Sequence, residues 1–158
     1  MLKLSESPKR IAFEDLIDLA SEDVGSKVLW ASDDFFAEKE NLIKSAPAVF
    51  IADKYTERGK WMDGWESRRK RLKNPFEHDQ CLIQLGLPGE IKGINVDTSF
   101  FTGNFPEYVS IEVFPAKSLN PGQTPQELLA SSEWIEILSK SSLAGGTQNY
   151  FTVAGSVC

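Results

Sequence analysis

The sequence contains few of the residues that build disulfide frameworks or metal sites. Its 158 residues include two cysteines, Cys81 and Cys158, and one histidine, His78. Two cysteines are too few for a disulfide scaffold, and they suit a reducing compartment in which both would be free thiols. Two cysteines and one histidine also do not form a recognisable zinc-binding pattern. A protein held by disulfides or by structural zinc is therefore not expected.

Long apolar runs and positive charge are also scarce. No stretch approaches the ~20 apolar residues of a membrane-spanning helix, and the N-terminus lacks the apolar run of a secretory signal. Lys and Arg total 17 against 23 Asp and Glu, a net charge of -6, which argues against a general polyanion binder. The composition favours a soluble cytosolic protein with neither nucleic acid nor membrane as partner. The length fits a single domain over 1–158, without internal repeats.

Against this background, the segment Tyr55–Arg71 concentrates charge and indole rings. Its sequence is YTERGKWMDGWESRRKR. An exposed Trp favours a covering ligand or partner, and an Arg guanidinium matches the shape of a carboxylate. The segment is therefore interpreted as a loop or short helix that could line a pocket for a small anion. The alternative is a solvated basic face with its Trp side chains in the core.

Apolar periodicity predicts mainly short strands after residue 80. Strands are expected over Cys81–Leu85, Ile91–Thr98 with a bulge at Gly93, Val109–Phe114, after Trp134, and over Tyr150–Val153, and an earlier strand is expected over Val28–Trp30. Helices are expected over Phe13–Ala20, Phe35–Lys44 and Pro125–Trp134. A turn is expected at Lys73–Pro75. Many strands, long loops and few helices predict an all-β sandwich of the jelly-roll kind.

Two adjacent carboxylates, Asp33 and Asp34, follow the first predicted strand. They could bind a divalent metal ion through oxygen ligands. The alternative is that they cap the next turn. The sequence does not require a cofactor, so a divalent ion stays one possibility.

Four collinear strings cover nearly the whole chain and together resemble allantoicase, which hydrolyses allantoate to ureidoglycolate and urea in purine breakdown. They are FEDLIDLASEDVGSKVLWASDDFFAEKENLI, KYTERGKWMDGWESRRKR, HDQCLIQLGLPGEIKGINVDTSFFTGNFPEYVSIE and QNYFTV. The resemblance implies a galactose-binding-like jelly-roll β-sandwich, an amidinohydrolase acting on linear amidines, and a homo-oligomeric full-length enzyme with two such repeats. This chain resembles the first repeat, without the closing strand and the second repeat. A missing strand would leave an edge that tends to pair with another chain.

Two departures from the family pattern lie near the histidine. Glu77-His78-Asp79-Gln80 stands where the family commonly has Gly-His-Asp-Trp, and Gln84 stands where a basic residue is common. Losing a Trp and a positive charge there would weaken a substrate contact or only alter packing.

The chemistry of allantoate suggests which side chains would act on it. Its carboxylate suits Arg68 or Arg69, for which the alternative is a structural ion pair with Glu66 or Asp63. His78 is suited to exchange a proton near neutral pH, with Asp79 to orient it; alternatively it orders the turn before the next strand. Hydrolysis needs an acid for the leaving ureido nitrogen and a base for water.

Further candidates surround these residues. Asp63 and Glu66, with Glu57 beside them, are candidates for the base. Trp65, Asp97 and Asn104 are candidates for substrate binding, although Gly-Asn is also an ordinary turn.

The rival hypothesis is a non-catalytic β-sandwich module that binds a small ligand, or an inactive truncated allantoicase, since a fold does not determine function. Nucleic-acid binding by the run ESRRKRLK would show strong salt dependence and runs against the acidic composition.

Overall fold

Antiparallel strand pairs form most of the regular structure. The computed structural model describes residues 13–70 and 77–157, with side chains of the final strand described up to residue 153. Within these residues the strands are β1 (Lys27–Ala31), β2 (Tyr55–Thr56), β3 (Gly59–Lys60), β4 (Cys81–Gln84), β5 (Glu90–Asp97), β6 (Tyr108–Val113), β7 (Ile135–Ser142) and β8 (Gln148–Val157). β1 pairs with β4, β2 with β3, β5 with β8 and β6 with β7, all antiparallel. The prediction of an all-β fold is confirmed.

The strands after residue 80 follow the predicted alternation. β4 buries Leu82 between half-buried neighbours, and β6 alternates exposed and half-buried residues before it buries Val113. The register between β5 and β8 shifts between Ile91 and Gly93, which confirms the predicted irregularity at Gly93. A side chain does not fit at this position, because a Cβ at Gly93 would come within 2.6 Å of Phe13 Cγ.

The predicted helix over residues 13–20 is wrong. The chain makes turns there, and the first helical segment in the described part is a 3₁₀ turn at Glu22–Val24. Leu16 and Ile17 remain 55% and 69% exposed, so no apolar face is buried that would stabilise a short helix. Asp18 Oδ1 also accepts a hydrogen bond from Ala20 N at 2.9 Å, a local bond that competes with helical pairing.

The remaining helices are short. The predicted helix over 35–44 is reduced to a 3₁₀ segment at Lys39–Ile43, and a further 3₁₀ turn spans Ala116–Ser118. Helix α1 (Pro125–Leu129) begins as predicted, with a capping box between Thr124 and Glu127, but ends before the predicted residue 134. No helix in the described ranges is long and apolar enough to cross a bilayer. The predicted turn at residues 73–75, together with Arg71 and Cys158, lies outside the described residues.

A buried threonine ties the loop after β5 to the start of β8. Thr98 is 4% exposed, and its hydroxyl lies 2.6 Å from the carbonyl oxygen of Ala144 and 2.9 Å from that of Thr147, both within hydrogen-bond distance. Its own carbonyl accepts from the backbone N–H groups of Phe101 and Gly146, both at 3.0 Å. The loop that follows Thr98 therefore leaves the sheet from a rigid base. The core around it is apolar: Val28, Ala37, Ile43, Met62, Leu82, Phe101, Val113, Leu128, Leu143 and Val153 are all buried.

Candidate functional site

An open groove of about 550 Å³ lies between the β2–β3 hairpin and the loop that follows Thr98. This volume is in the range of small-molecule sites, roughly 300–1,000 Å³. Its lining is Phe36, Phe50, Gly59, Lys60, Met62, Glu66, Phe100, Thr102 and Asn104. Aromatic and apolar surfaces thus surround one cation, one carboxylate and one amide, which is a composition suited to a small polar ligand.

Glu66 and Asn104, two of the predicted site residues, meet in this groove. Asn104 Nδ2 donates to Glu66 Oε1 at 2.7 Å across 38 positions of sequence. The backbone of Glu66 is fixed, because it pairs with Ala37 in an antiparallel bridge with N···O distances of 3.1 and 3.2 Å. The described residues provide no partner for Glu66 Oε2. The carboxylate is therefore oriented through one oxygen at a position that lines the groove.

Asp63 is not part of the groove lining, but it holds the chain next to Phe50, which is. Its side chain, 10% exposed, pairs with Lys44 at 2.9 Å and accepts from Val49 N at 2.9 Å. Burial alone would raise the pKa of the Asp63 carboxyl, but the hydrogen bonds from Lys44 and Val49 hold it below its ordinary value. Asp63, predicted as a candidate base, is engaged in fixing the chain next to Phe50.

Phe100 adopts a strained backbone conformation at the rim of the groove. Its φ is +68°, in the left-handed region that costs a residue with a β-carbon about 1–2 kcal/mol. The neighbouring Phe101 is buried and lies under Gly64, where a Cβ would come within 2.6 Å of its ring. The fold buries one ring of this pair and turns the other toward the groove.

Asp33 and Arg68 form an ion pair in a second, smaller groove. Asp33 Oδ2 accepts from Arg68 Nε and Nη2 at 2.7 and 2.6 Å, and Oδ1 accepts from the backbone of Arg68 and of Phe35. Burial alone would raise the pKa of the Asp33 carboxyl, but the hydrogen bonds from Arg68 and Phe35 hold it below its ordinary value. The partner of Arg68 is thus Asp33 rather than Glu66 or Asp63, and Asp33 caps a turn as the alternative interpretation expected.

Asp79 is the centre of a hydrogen-bonded cluster beside this pair. It accepts from Ser32 Oγ at 2.8 Å and from Ser67 Oγ at 2.7 Å, and Lys70 Nζ lies 3.1 Å away. Burial alone would raise the pKa of the Asp79 carboxyl, but Ser67, Ser32 and Lys70 together hold it below its ordinary value. The cluster joins β1, the segment after Glu66 and the start of β4.

Asp79→Asn is expected to reduce stability by about 1–2 kcal/mol at pH 7, because a charge-assisted acceptor is lost. Since the folded pKa of Asp79 is depressed, its contribution is present above the unfolded value of about 3.9 and is lost as the pH falls through the folded value. Urea denaturation between pH 7 and pH 2 should show a flatter acid limb for the variant. The exposed Glu112→Gln serves as the control, and an unchanged acid limb in Asp79→Asn would contradict the assignment.

The other predicted residues lie outside the groove lining. Trp65 Nε1 donates to Asp33 O at 2.8 Å, and Asp97 Oδ1 accepts from Ser99 N at 2.7 Å in the turn before Phe100. His78 is exposed, with Nε2 2.6 Å from the side-chain nitrogen of Gln80. Arg69 is exposed as well. The structure therefore brings together Glu66 and Asn104 in the groove, whose lining does not include Asp63, His78 or Arg69.

The described residues do not present a ligand set for a divalent ion. Among residues 13–70 and 77–157, no three His, Cys, Asp or Glu side chains cluster closely enough to share one. Of the predicted pair, Asp33 is bound to Arg68, and Asp34 lies 3.7 Å from Lys39 Nζ.

Several lining residues were not identified from the sequence. Lys60 is part of the charged segment Tyr55–Arg71 but has no spacing signal of its own; its Nζ lies 4.6 Å from the centroid of the Phe50 ring. Phe36 and Phe50 are ordinary apolar residues in the sequence. The aromatic loop FFTGNFP, which follows a β-strand, was the one available signal for Phe100.

Fold and groove define an antiparallel β-protein with an open groove among its loops that is lined by aromatic and polar side chains. The sequence profile described as the allantoicase repeat matches residues 17–157. The chain belongs to the allantoicase repeat family.

A solved structure of allantoicase superimposes with a TM-score of 0.71 at 28% identity, covering 89% of this chain and 42% of that one. The crystal structure of allantoicase from Saccharomyces cerevisiae gives 0.66 at 28% identity, over 89% and 45%. These likenesses confirm the β-sandwich.

Bacterial relatives are more similar in sequence. The protein named probable allantoicase from Photobacterium profundum is 44% identical over 141 residues, 89% of this chain and 40% of the relative. Probable allantoicase 1 from Burkholderia mallei is 46% identical over 134 residues, 85% of this chain and 37% of the relative. The chain thus spans about two fifths of the length of these relatives.

Proposed function

We propose that this chain acts in the hydrolysis of allantoate to ureidoglycolate and urea, and that the groove between the β2–β3 hairpin and the loop after Thr98 is the substrate site. The observation that carries the proposal is the contact between Glu66 and Asn104 at 2.7 Å. A fixed carboxylate and an amide, beside an ammonium group and aromatic rings, match a ligand with two ureido groups and a carboxylate. Membership of the allantoicase repeat family supports this choice of ligand.

Binding of the substrate uses the ammonium, carboxylate and amide groups of the groove. Lys60 supplies the positive charge for the carboxylate, because the guanidinium of Arg68 is already engaged by Asp33 at 2.6 Å. Asn104 donates one N–H to Glu66, and its second N–H and its oxygen suit a ureido group. Arg69 remains a second candidate for the carboxylate.

Glu66 is the proposed base. Its carboxylate takes a proton from water, the water oxygen bonds to the central carbon of allantoate, and the bond from that carbon to one ureido nitrogen breaks. The proton held by Glu66 then passes to the departing nitrogen, so that urea leaves and ureidoglycolate remains. His78, which lies outside the groove lining, stays the alternative donor of that proton.

Membership of the same family also supports proposals on the localisation, repeat content and assembly of the protein. We infer a cytoplasmic protein whose whole form contains a second repeat and assembles as a homo-oligomer, with the 158 residues as one repeat domain. Cys81, a half-buried free thiol whose pKa is raised to about 11 by burial, suits a reducing compartment.

The test is urea release from allantoate by the purified 158-residue chain, with and without an added divalent metal ion. Release well above the uncatalysed rate is the expected result. A folded chain that neither binds allantoate nor releases urea would overturn the proposal. Binding without urea release would favour the rival interpretation, a non-catalytic small-ligand module.

A further inference from the structure

Two exposed phenylalanine rings form a stacked pair at the groove. The centroids of Phe50 and Phe100 lie 5.7 Å apart, with planes inclined by 27°. Their residues are 44% and 43% exposed. Exposed aromatic surface of this kind is unfavourable in water unless a ligand or a partner covers it.

The backbone holds Phe100 in this position against its own preference. The left-handed φ of +68° is a true outlier for a bulky residue. The next residue, Phe101, is buried, and Gly146 N donates to both Thr98 O and Phe101 O at 3.0 Å, so the backbone is held before and after Phe100. Strain that the surrounding structure imposes in this way concentrates at ligand-binding sites.

Phe50 is positioned by a separate set of contacts. Asp63 accepts from Val49 N at 2.9 Å, which fixes the chain directly before Phe50. Lys60 Nζ lies over the Phe50 ring, 4.6 Å from its centroid, so the ammonium group is held beside the ring pair. The two rings come from positions 50 residues apart, and the backbone next to each ring is held by separate hydrogen bonds.

We propose that the Phe50–Phe100 pair is the platform on which a planar ureido group lies, while Lys60 beside it takes an adjacent carboxylate. The groove then selects ligands in which a planar ureido group and an anion are a few bonds apart, and it discriminates against simple carboxylates. This inference rests on the proposed function and identifies Phe100 as a specificity residue of the same groove.

The experiment compares ligand binding by the 158-residue chain and by two variants at Phe100. Phe100→Gly removes the ring, but it keeps the backbone conformation without strain, because glycine adopts positive φ freely. Phe100→Tyr keeps the ring. The probes, measured by titration calorimetry, are allantoate, N-carbamoylglycine, which carries a ureido group and a carboxylate, and butyrate, which carries a carboxylate alone. Leu119→Ala, which truncates a similarly exposed apolar residue, is the control.

Phe100→Gly is expected to lower the affinity for both ureido ligands on the order of tenfold, equivalent to about 1.4 kcal/mol of binding free energy. Leu119→Ala should bind as the unaltered chain does, and Phe100→Tyr should bind ureido ligands more tightly than Phe100→Gly because it keeps the ring. Butyrate binding should be weak and insensitive to the ring. Equal affinity of Phe100→Gly and the unaltered chain for N-carbamoylglycine would overturn the proposal. So would the absence of ureido binding in the unaltered chain.

Two further readouts separate this inference from the competing explanations. If Phe100→Gly loses ureido binding but the unaltered chain releases no urea, the platform stands and the hydrolytic function fails. If urea is released with an unchanged KM by Phe100→Gly, the function stands and the platform fails. Light scattering reports the third case: a dimer that Phe100→Gly converts to a monomer would make the ring pair an interface between two copies and would overturn the proposal.

Discussion

Glu66→Gln is expected to lower kcat for urea release from allantoate by about 10²–10⁴-fold, the usual contribution of a positioned acid–base group. Glutamine keeps the shape of the side chain, and its amide oxygen can still accept the hydrogen bond from Asn104 that the structure shows at 2.7 Å. What the variant loses is the capacity to take a proton from water. Allantoate affinity should therefore change little, and the effect should be in kcat.

The control for this prediction is Glu112→Gln, an equally conservative change at an exposed position of β6. Its turnover should match that of the unaltered chain. Turnover that persists in Glu66→Gln but disappears in Glu57→Gln would move the base to the β2–β3 turn. Loss of affinity without loss of kcat in Glu66→Gln would instead make Glu66 a binding residue, so kcat and KM must both be measured.

Gly86→Ala is expected to destabilise the fold by about 3 kcal/mol or more, an unusually large value for the addition of one methyl group. A Cβ at this position would come within 2.6 Å of the carbonyl carbon of Val24 and 2.8 Å of Ser26 N, and closer still to the Val24 oxygen. These neighbours are all backbone atoms, so no side-chain rotation relieves the overlap.

The overlap would also break hydrogen bonds that join the two strands at one end of the β1–β4 pair. Gly86 N donates to Ser26 Oγ at 2.8 Å, and that hydroxyl donates to Leu19 O at 2.7 Å. Ser26 is 5% exposed, so its lost partners would not be replaced by water. The penalty at Gly86 arises from close approach, since its φ is not in the left-handed region.

Urea denaturation monitored by Trp fluorescence measures this effect. The matched control is Gly103→Ala, because a Cβ there meets nothing within 4 Å and the backbone needs no positive φ. That variant should be as stable as the unaltered chain. A Gly86→Ala protein of unchanged stability would mean that the β1–β4 pair can separate at this end without a significant loss of free energy.

Sequence patterns correctly predicted the elements that are stabilised by interactions between residues close in sequence. The alternation in Val109–Phe114 is the strand β6, and the Thr-Pro-Gln-Glu sequence begins α1 because Thr124 and Glu127 satisfy one another's backbone. The same kind of pattern failed over residues 13–20. Part of the apolar face that helical spacing would form there is not buried, as the 69% exposure of Ile17 shows, and Asp18 bonds locally instead.

The sequence by itself determined the all-β class, the capped helix, the irregularity at Gly93 and the family, because each depends on nearby residues or on long collinear similarity. Only the tertiary structure decided the chemistry of the groove. Asn104 meets Glu66 across 38 positions, and Arg68 meets Asp33 across 35. Such pairings depend on which loops the strand pairs bring together, and this cannot be inferred from the spacing of residues in the sequence. The left-handed turn at Phe100 has the same origin: contacts from Thr98 and Gly146 impose it, against the preference of the residue itself.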